Sequence, residues 1–235
     1  MMYEALAHFY DALVQDDEAT AAWVNLIESR IPKGNIMELA CGSGEITIAL
    51  ANAGYHVNAS DISGDMIAEA KKKEGSELVT WSTMDMCAFT DTSIYDGILC
   101  LCDSFNYLLE EAQVRALFTQ VYEHLHDGGC FIMDMHSQDR LLEFQEEYNE
   151  AGRIDRQEYQ WTIYSEEDCI YQNFAFYDEE GRVTLEQHIQ RCYDPLYIEQ
   201  VLKETGFEVE ILTDFTTSGI CEGEKQFYIC KKVKK

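Results

Sequence analysis

Glu38-Leu39-Ala40-Cys41-Gly42-Ser43-Gly44 joins a short apolar run, residues 35–39, to a segment with helical spacing, residues 45–53. In the second segment Ile46, Ala49, Leu50 and Ala53 fall on one face, and Gly54 ends it. Strand, glycine loop and helix in that order make a ligand loop. Glycines at 42 and 44 let a backbone approach a bound molecule with no Cβ in between. A lone G-x-G is common in tight turns, so its neighbours decide the reading. An acid precedes the loop at Glu38, and a second, Asp61, ends the next apolar run. An acid there can accept hydrogen bonds from both hydroxyls of a ribose. Loop and acid together point to a nucleoside-containing ligand.

Outward from this loop the chain alternates. Residues 55–60 read as a strand, and Ser63 caps a helix that runs to residue 74. Residues 78–84 and 95–102 read as the third and fourth strands. Residues 110–126 form an amphipathic helix with Val114, Leu117, Phe118, Val121 and Leu125 on one face, and Asp127-Gly128-Gly129 turns the chain into a fifth strand, residues 130–135. Such alternation implies a parallel sheet with its ligand beyond the carboxyl ends of the strands. Two helices, near residues 3–14 and 17–30, precede it. Residues 157–193 break the rhythm with three runs rich in Tyr, Phe, Ile, Val and Thr, read as an antiparallel meander. Asp194-Pro195 starts a helix that ends at Gly206, and residues 207–215 and 225–232 form an antiparallel pair at the sheet edge.

The expected architecture is α/β: a Rossmann-like, seven-stranded, mostly parallel sheet with helices on both faces, an antiparallel last strand and a small antiparallel β-meander insertion. One domain spans 1–235, with N-terminal helices (1–34), an α/β core (35–137), a meander lid (138–193) and a C-terminal helix with edge strands (194–235).

Composition narrows the function. A formal charge of −27 over 235 residues repels polyanions, so nucleic acid is not an expected partner. No run approaches the roughly 20 apolar residues of a membrane span, and residues 1–17 lack the pattern of a signal peptide. Nine cysteines, an odd number with no C-x-x-C pair, read as free thiols in a reducing compartment, with no metal expected. The expected setting is cytoplasmic. Thr47 stands where a dinucleotide fingerprint needs Gly or Ala, and no lysine follows in the loop as in a P-loop. A ligand without phosphates fits better. S-adenosylmethionine, with its cationic sulfonium and amine, suits an acidic cleft.

These residues resemble a known family. Glu38–Gly44, then Asp61-Ile62-Ser63 with Met66, then Met84-Asp85-Met86, then residues 95–100, then residues 125–134 are similar, in order and spacing, to five motifs of the class I S-adenosylmethionine-dependent methyltransferases. Cys102-Asp103-Ser104-Phe105-Asn106-Tyr107-Leu108 and the meander look closest to the single-domain bacterial YqeM-like group. Glu38 and Ala40 stand where Asp and Gly are commoner, and Asp127 where Pro is common; Ala40 would narrow the loop slightly. The resemblance implies that Glu38, Gly42 and Gly44 surround the methionine part of the cofactor, with Ala40 in the same cofactor loop. By the same likeness Asp61 holds its ribose, Ile62 lies against the adenine, Asp85 and the Met86 amide meet the adenine edge, and Met66 belongs to the cofactor site. Cys100, Leu101 and Cys102 would line the reaction site, and Tyr10 would fold over the cofactor. The product would be S-adenosylhomocysteine.

Methyl transfer from a sulfonium is an in-line displacement that chiefly needs alignment and exclusion of water. A base is needed only when the nucleophile must lose a proton. His136 and His188 are the candidate bases, each with a structural role as the alternative. Arg191 is a candidate clamp on an anionic acceptor, or a salt-bridge partner of one of the many acids. The Asn/Asp-Pro-Pro-aromatic run of amino-base methyltransferases is absent, as is a Pro-Cys nucleophile. A small-molecule methyl acceptor is therefore expected. A non-catalytic cofactor-binding module and a nicotinamide-dependent oxidoreductase remain the alternatives.

Overall fold

The central strand β1, Asn35–Leu39, is buried along four of its five residues, and it carries Ile36 on one face and Met37 and Leu39 on the other. A strand apolar on both faces belongs inside a parallel sheet covered on both sides. In the computed structural model, which describes residues 16–90, 92–154 and 157–233, β1 lies between β2 (His56–Asp61) and β4 (Tyr95–Cys100), parallel to both. β3 (Val79–Thr83) adds to β2, and β5 (Leu125–His136) adds to β4, again in parallel.

Helices cover the two faces. α1 (Asp17–Arg30), α2 (Glu45–Asn52) and α3 (Gly64–Ala70) pack on one side through Trp23, Ile27, Leu50 and Ile67. α4 (Glu111–His124) covers the other with Val114, Leu117, Phe118 and Val121. Ser63 Oγ accepts the Met66 N–H and caps α3 as the sequence predicts. The predicted first helix, residues 3–14, lies outside the described residues.

After β5 the chain passes through α5 (Gln138–Glu143) into a second, antiparallel sheet of β6 (Tyr148–Ile154), β7 (Gln157–Glu166), β8 (Cys169–Tyr177) and β9 (Val183–Arg191). It has four strands where the sequence predicts three. β6 is polar and contains a glycine, so it carries no apolar alternation. It forms because β7 supplies its backbone partners and Tyr159 lies over Gly152, where a Cβ would come within 2.7 Å of the ring.

α6 (Pro195–Thr205) returns the chain to the main sheet. Asp194 caps it through the Leu196 N–H, and Gly206 (φ 118°) closes it. β10 (Phe207–Thr213), β11 (Thr217–Ser218) and β12 (Lys225–Lys232) complete the sheet in the order β11-β10-β12-β5-β4-β1-β2-β3. The sheet thus has eight strands, not seven, the extra one being a two-residue pairing in the connection after β10. β12 is not an edge strand. It sits between β5 and β10, antiparallel to both, with Phe227, Tyr228 and Cys230 buried. Asp127-Gly128-Gly129 lies within β5, at a shift of register against β4, rather than before the strand. Among the described residues no helix is long and apolar enough to cross a membrane.

Candidate functional site

The glycine loop between β1 and α2 rests on a buried hydrogen bond. The Thr47 hydroxyl in the first turn of α2 donates to Glu38 Oε2 at 2.6 Å. Both residues are buried, and burial pushes the Glu38 carboxyl up to about 7, with the Thr47 bond opposing and Asp61 adding to the rise. Thr47, which counts against a dinucleotide loop in the sequence, is therefore the tie between strand and helix. Ala40 adopts φ 51°, the left-handed region that glycine enters freely, so this chain carries backbone strain where glycine is commoner.

The two glycines differ. A Cβ on Gly42 (φ 54°) would meet nothing within 4 Å and would project into open space. A Cβ on Gly44 (φ 78°) would lie 2.4 Å from Trp81 Cη2 and 3.1 Å from the Ala70 Cβ. Gly42 keeps room for a ligand, whereas Gly44 keeps room for the protein's own packing.

At the end of β2, Asp61 accepts the Gly42 N–H at 2.8 Å through Oδ2 and the Ser63 N–H at 2.8 Å through Oδ1. The carboxylate therefore joins the two loops. Burial raises its pKa, against the hydrogen bonds from Ser63, Gly42 and Ile62. Beside it Ile62 is 59% exposed, an aliphatic side chain left uncovered on the rim. Lys73, just past the end of α3, reaches this loop and is held by Ser43 Oγ (3.1 Å) and Glu45 (3.3 Å).

A cavity of about 670 Å³ opens at these carboxyl ends. Of the predicted cofactor residues, Ala40, Gly42, Asp61, Ile62, Met66, Met86 and Cys102 line it. Glu38, Gly44, Asp85, Cys100 and Leu101 do not. Glu38, Cys100 and Leu101 are buried behind the wall, and the Asp85 carboxylate accepts the Cys87 N–H at 2.8 Å in its own turn. Tyr10 lies outside the described residues. The meander supplies an aromatic and aliphatic wall with Trp161, Ile163, Ile170 and Phe174, and α1 adds Trp23.

Both predicted histidines reach the cavity. His188 lies between the Tyr107 hydroxyl (3.2 Å) and Glu186 (2.9 Å). His136, 7% exposed, ends β5 and faces Gln190 Oε1 through Nε2 (3.3 Å) and Asp103 Oδ1 through Nδ1 (3.4 Å). Burial lowers the His136 pKa, against the neighbouring Asp103 charge. Arg191 is not brought to this cavity. It pairs with Asp168 (2.8 Å), donates to the Leu109 carbonyl (2.8 Å), stacks over Tyr193 and lines a separate cavity of about 510 Å³. β9 places residues 188 and 190 on its buried side and 191 at its end, so the guanidinium is taken up by the partly exposed ion pair with Asp168.

A charged cluster beside His136 has no counterpart in the sequence motifs. Lys225 Nζ bridges Asp103 Oδ2 (2.9 Å) and the fully buried Asp134 Oδ2 (3.2 Å), and the Asp103 N–H points at the Asp134 carboxylate (3.2 Å). Burial raises Asp134, with Asp103 adding to the rise and Lys225 opposing. Burial also acts to raise Asp103, but His136 and Lys225 outweigh it and hold that carboxyl low. The two carboxylates keep Lys225 protonated in spite of its burial. Cys102 and Asp103 adopt φ 55° and 60°, consecutive left-handed residues that this cluster pins in place. One signal was available: Asp134 interrupts the apolar run Phe131–Met135 in a central strand, and a buried acid needs a partner.

Residues 36–129 match the family model described as a methyltransferase domain. The full chain is 30% identical to "Putative methyltransferase GWCH70_2453" of Geobacillus sp. (strain WCH70), over 99% of this chain and 100% of that protein. It is 31% identical to "Putative methyltransferase YqeM" of Bacillus subtilis (strain 168), over 100% and 98%. A crystal structure of an S-adenosylmethionine-dependent methyltransferase from Clostridium acetobutylicum ATCC 824 superposes with a TM-score of 0.83 at 25% identity, covering 99% of each chain.

Proposed function

The chain belongs to the S-adenosylmethionine-dependent methyltransferase family that includes YqeM, and from that premise we propose that it methylates a small molecule held between the glycine loop and the meander. One observation carries this reading: the open space over Gly42, the Asp61 carboxylate and the aromatic meander wall all face one cavity.

The residues suit S-adenosylmethionine. Gly42 leaves backbone room, Asp61 offers carboxylate oxygens to ribose hydroxyls, and Ile62 and Met66 supply apolar surface for an adenine ring. Met86 and Cys102 border the same space, with Glu38, Gly44, Asp85, Cys100 and Leu101 behind or beside them. When bound, the cofactor supplies an electrophilic methyl group on sulfur. The chain's part is to align the nucleophile in line with that methyl, exclude water and receive a proton where the nucleophile carries one. His136, at the cavity wall, is the base in this reading. His188, enclosed between Tyr107 and Glu186, orients the acceptor side. The meander, as lid of a single 1–235 domain, closes the acceptor half. A charge of −27 sets nucleic acid aside as substrate, and a cytoplasmic setting suits nine free thiols.

Calorimetric titration with S-adenosylmethionine, S-adenosylhomocysteine and NAD tests the reading. The first two bind in the micromolar range, NAD does not, and Asp61→Ala loses the binding. Binding of NAD alone, or of none of the three, overturns it.

A further inference from the structure

Buried polar atoms in a folded protein are almost always hydrogen-bonded, so an unpaired one at a cavity wall calls for an account. Three such atoms, Asp103 Oδ1, His136 Nδ1 and Trp161 Nε1, belong to residues lining the cavity, and among the described residues none has a hydrogen-bond partner. The first two face each other at 3.4 Å.

The tautomer of His136 follows from its neighbours. Gln190 points one amide atom at the Asp103 carbonyl oxygen (3.2 Å), which can only accept, so that atom is the NH2 nitrogen. The other atom is then the carbonyl oxygen, which accepts from Gln172 Nε2 (2.8 Å) and from His136 Nε2 (3.3 Å). In the neutral ring the proton therefore sits on Nε2, and Nδ1 turns a lone pair toward Asp103 Oδ1. Two acceptors oppose one another with no hydrogen between them.

From this we infer that the methyl acceptor is a primary amine, whose N–H groups satisfy Asp103 Oδ1 and His136 Nδ1 together. The inference rests on the methyltransferase reading and adds the acceptor's chemistry. A hydroxyl has one hydrogen and satisfies one of the two atoms; an amine or ammonium has two or three. Charge agrees with this. Among the described residues the cations lining the cavity are Lys225, held by Asp103 and Asp134, and Arg140, held by Glu143 (2.7 Å) and near Glu224 (3.8 Å), so an anionic acceptor finds no uncommitted partner among them. The third orphan, Trp161 Nε1, is a donor on the meander wall and suits an uncharged oxygen of the same molecule.

The ammonium gives one proton to His136 Nδ1, leaving a neutral amine and an imidazolium beside the Asp103 carboxylate. The nitrogen lone pair then forms the N–C bond as the methyl–sulfur bond breaks, the bonding pair remaining on sulfur. The product is a monomethylated ammonium.

The test uses the full chain saturated with S-adenosylhomocysteine and three probes of one apolar body: 2-phenylethylamine, 2-phenylethanol and phenylacetate. The amine is expected to bind at least about tenfold more tightly than either of the others, the worth of one charge-assisted hydrogen bond. On its addition the Nδ1 nitrogen-15 resonance of His136 moves from the lone-pair position toward the protonated one. With S-adenosylmethionine labelled in the methyl group, label passes to the amine and not to the alcohol or the acid. Asp103→Asn abolishes the amine preference, and the comparison of probes on the unmodified protein does not depend on that variant folding. Equal or weaker binding of the amine, or label in the alcohol or acid, overturns the inference while the methyltransferase reading stands. Failure to bind S-adenosylhomocysteine overturns both.

Discussion

The Thr47 hydroxyl and the Glu38 carboxylate form a 2.6 Å hydrogen bond beneath the glycine loop, out of contact with solvent. It ties the end of β1 to the first turn of α2, the two elements that set the height of Gly42 above the cavity. Thr47→Val keeps the shape and removes the donor, leaving a buried carboxyl with one partner fewer. Stability is expected to fall by about 1–3 kcal/mol in urea denaturation, more at pH 8 than at pH 5, because the ionised carboxylate loses more than the neutral acid.

The same carboxyl gives a pH dependence of known sign. Its pKa is pushed up to about 7 in the folded chain from an ordinary 4.5. Between those values the folded state holds the proton that the unfolded state has released, so this group's contribution is full below pH 4.5 and is lost as pH rises through 7. Wild type should lose roughly 3 kcal/mol relative to Glu38→Gln over that interval. Parallel denaturation curves for the two proteins at pH 5 and pH 7.5 would remove this assignment.

Gly42 and Gly44 should separate binding from folding. Gly44→Ala drives a methyl into Trp81 at a left-handed position, and a loss of at least about 2 kcal/mol is expected from overpacking and backbone strain. Gly42→Ala carries only the backbone cost of about 1 kcal/mol, but puts a methyl into the cavity and weakens S-adenosylhomocysteine binding. Denaturation and calorimetry on both variants read the two effects separately.

Lys225 is the cation of a buried triad. Lys225→Met leaves Asp103 and Asp134 facing each other without it, and a loss of about 3–5 kcal/mol is expected. Lys225→Met combined with Asp134→Asn should recover part of that loss, since one of the two like charges is gone. A double variant no more stable than the single one would show that the lysine acts through packing of its stem.

Arg191→Ala should leave S-adenosylhomocysteine affinity and methyl acceptance unchanged, because the guanidinium serves Asp168, the Leu109 carbonyl and Tyr193 away from the main cavity. A modest drop in melting temperature, equivalent to about 1 kcal/mol, is the expected effect of losing a partly exposed ion pair and its carbonyl bond. A rise in the acceptor KM would restore the clamp.

Local chemistry made much of this protein legible from its residues alone. Strand-loop-helix order around Gly42, the acid at Asp61, the Ser63 and Asp194 caps and the face of α4 are statements about neighbours in the chain, and short-range sterics and hydrogen bonding enforce them. Where partners come from far away, the tertiary structure decided. β6 exists because β7 pairs with it, and β12 enters the sheet because Phe227, Tyr228 and Cys230 find buried neighbours between β5 and β10. Lys225 meets Asp103 across 122 residues, and Gln190 sets the His136 proton across 54. No spacing rule carries such a pairing, because a buried charge or lone pair is satisfied by whatever folding brings within about 3 Å, not by what precedes it in the chain.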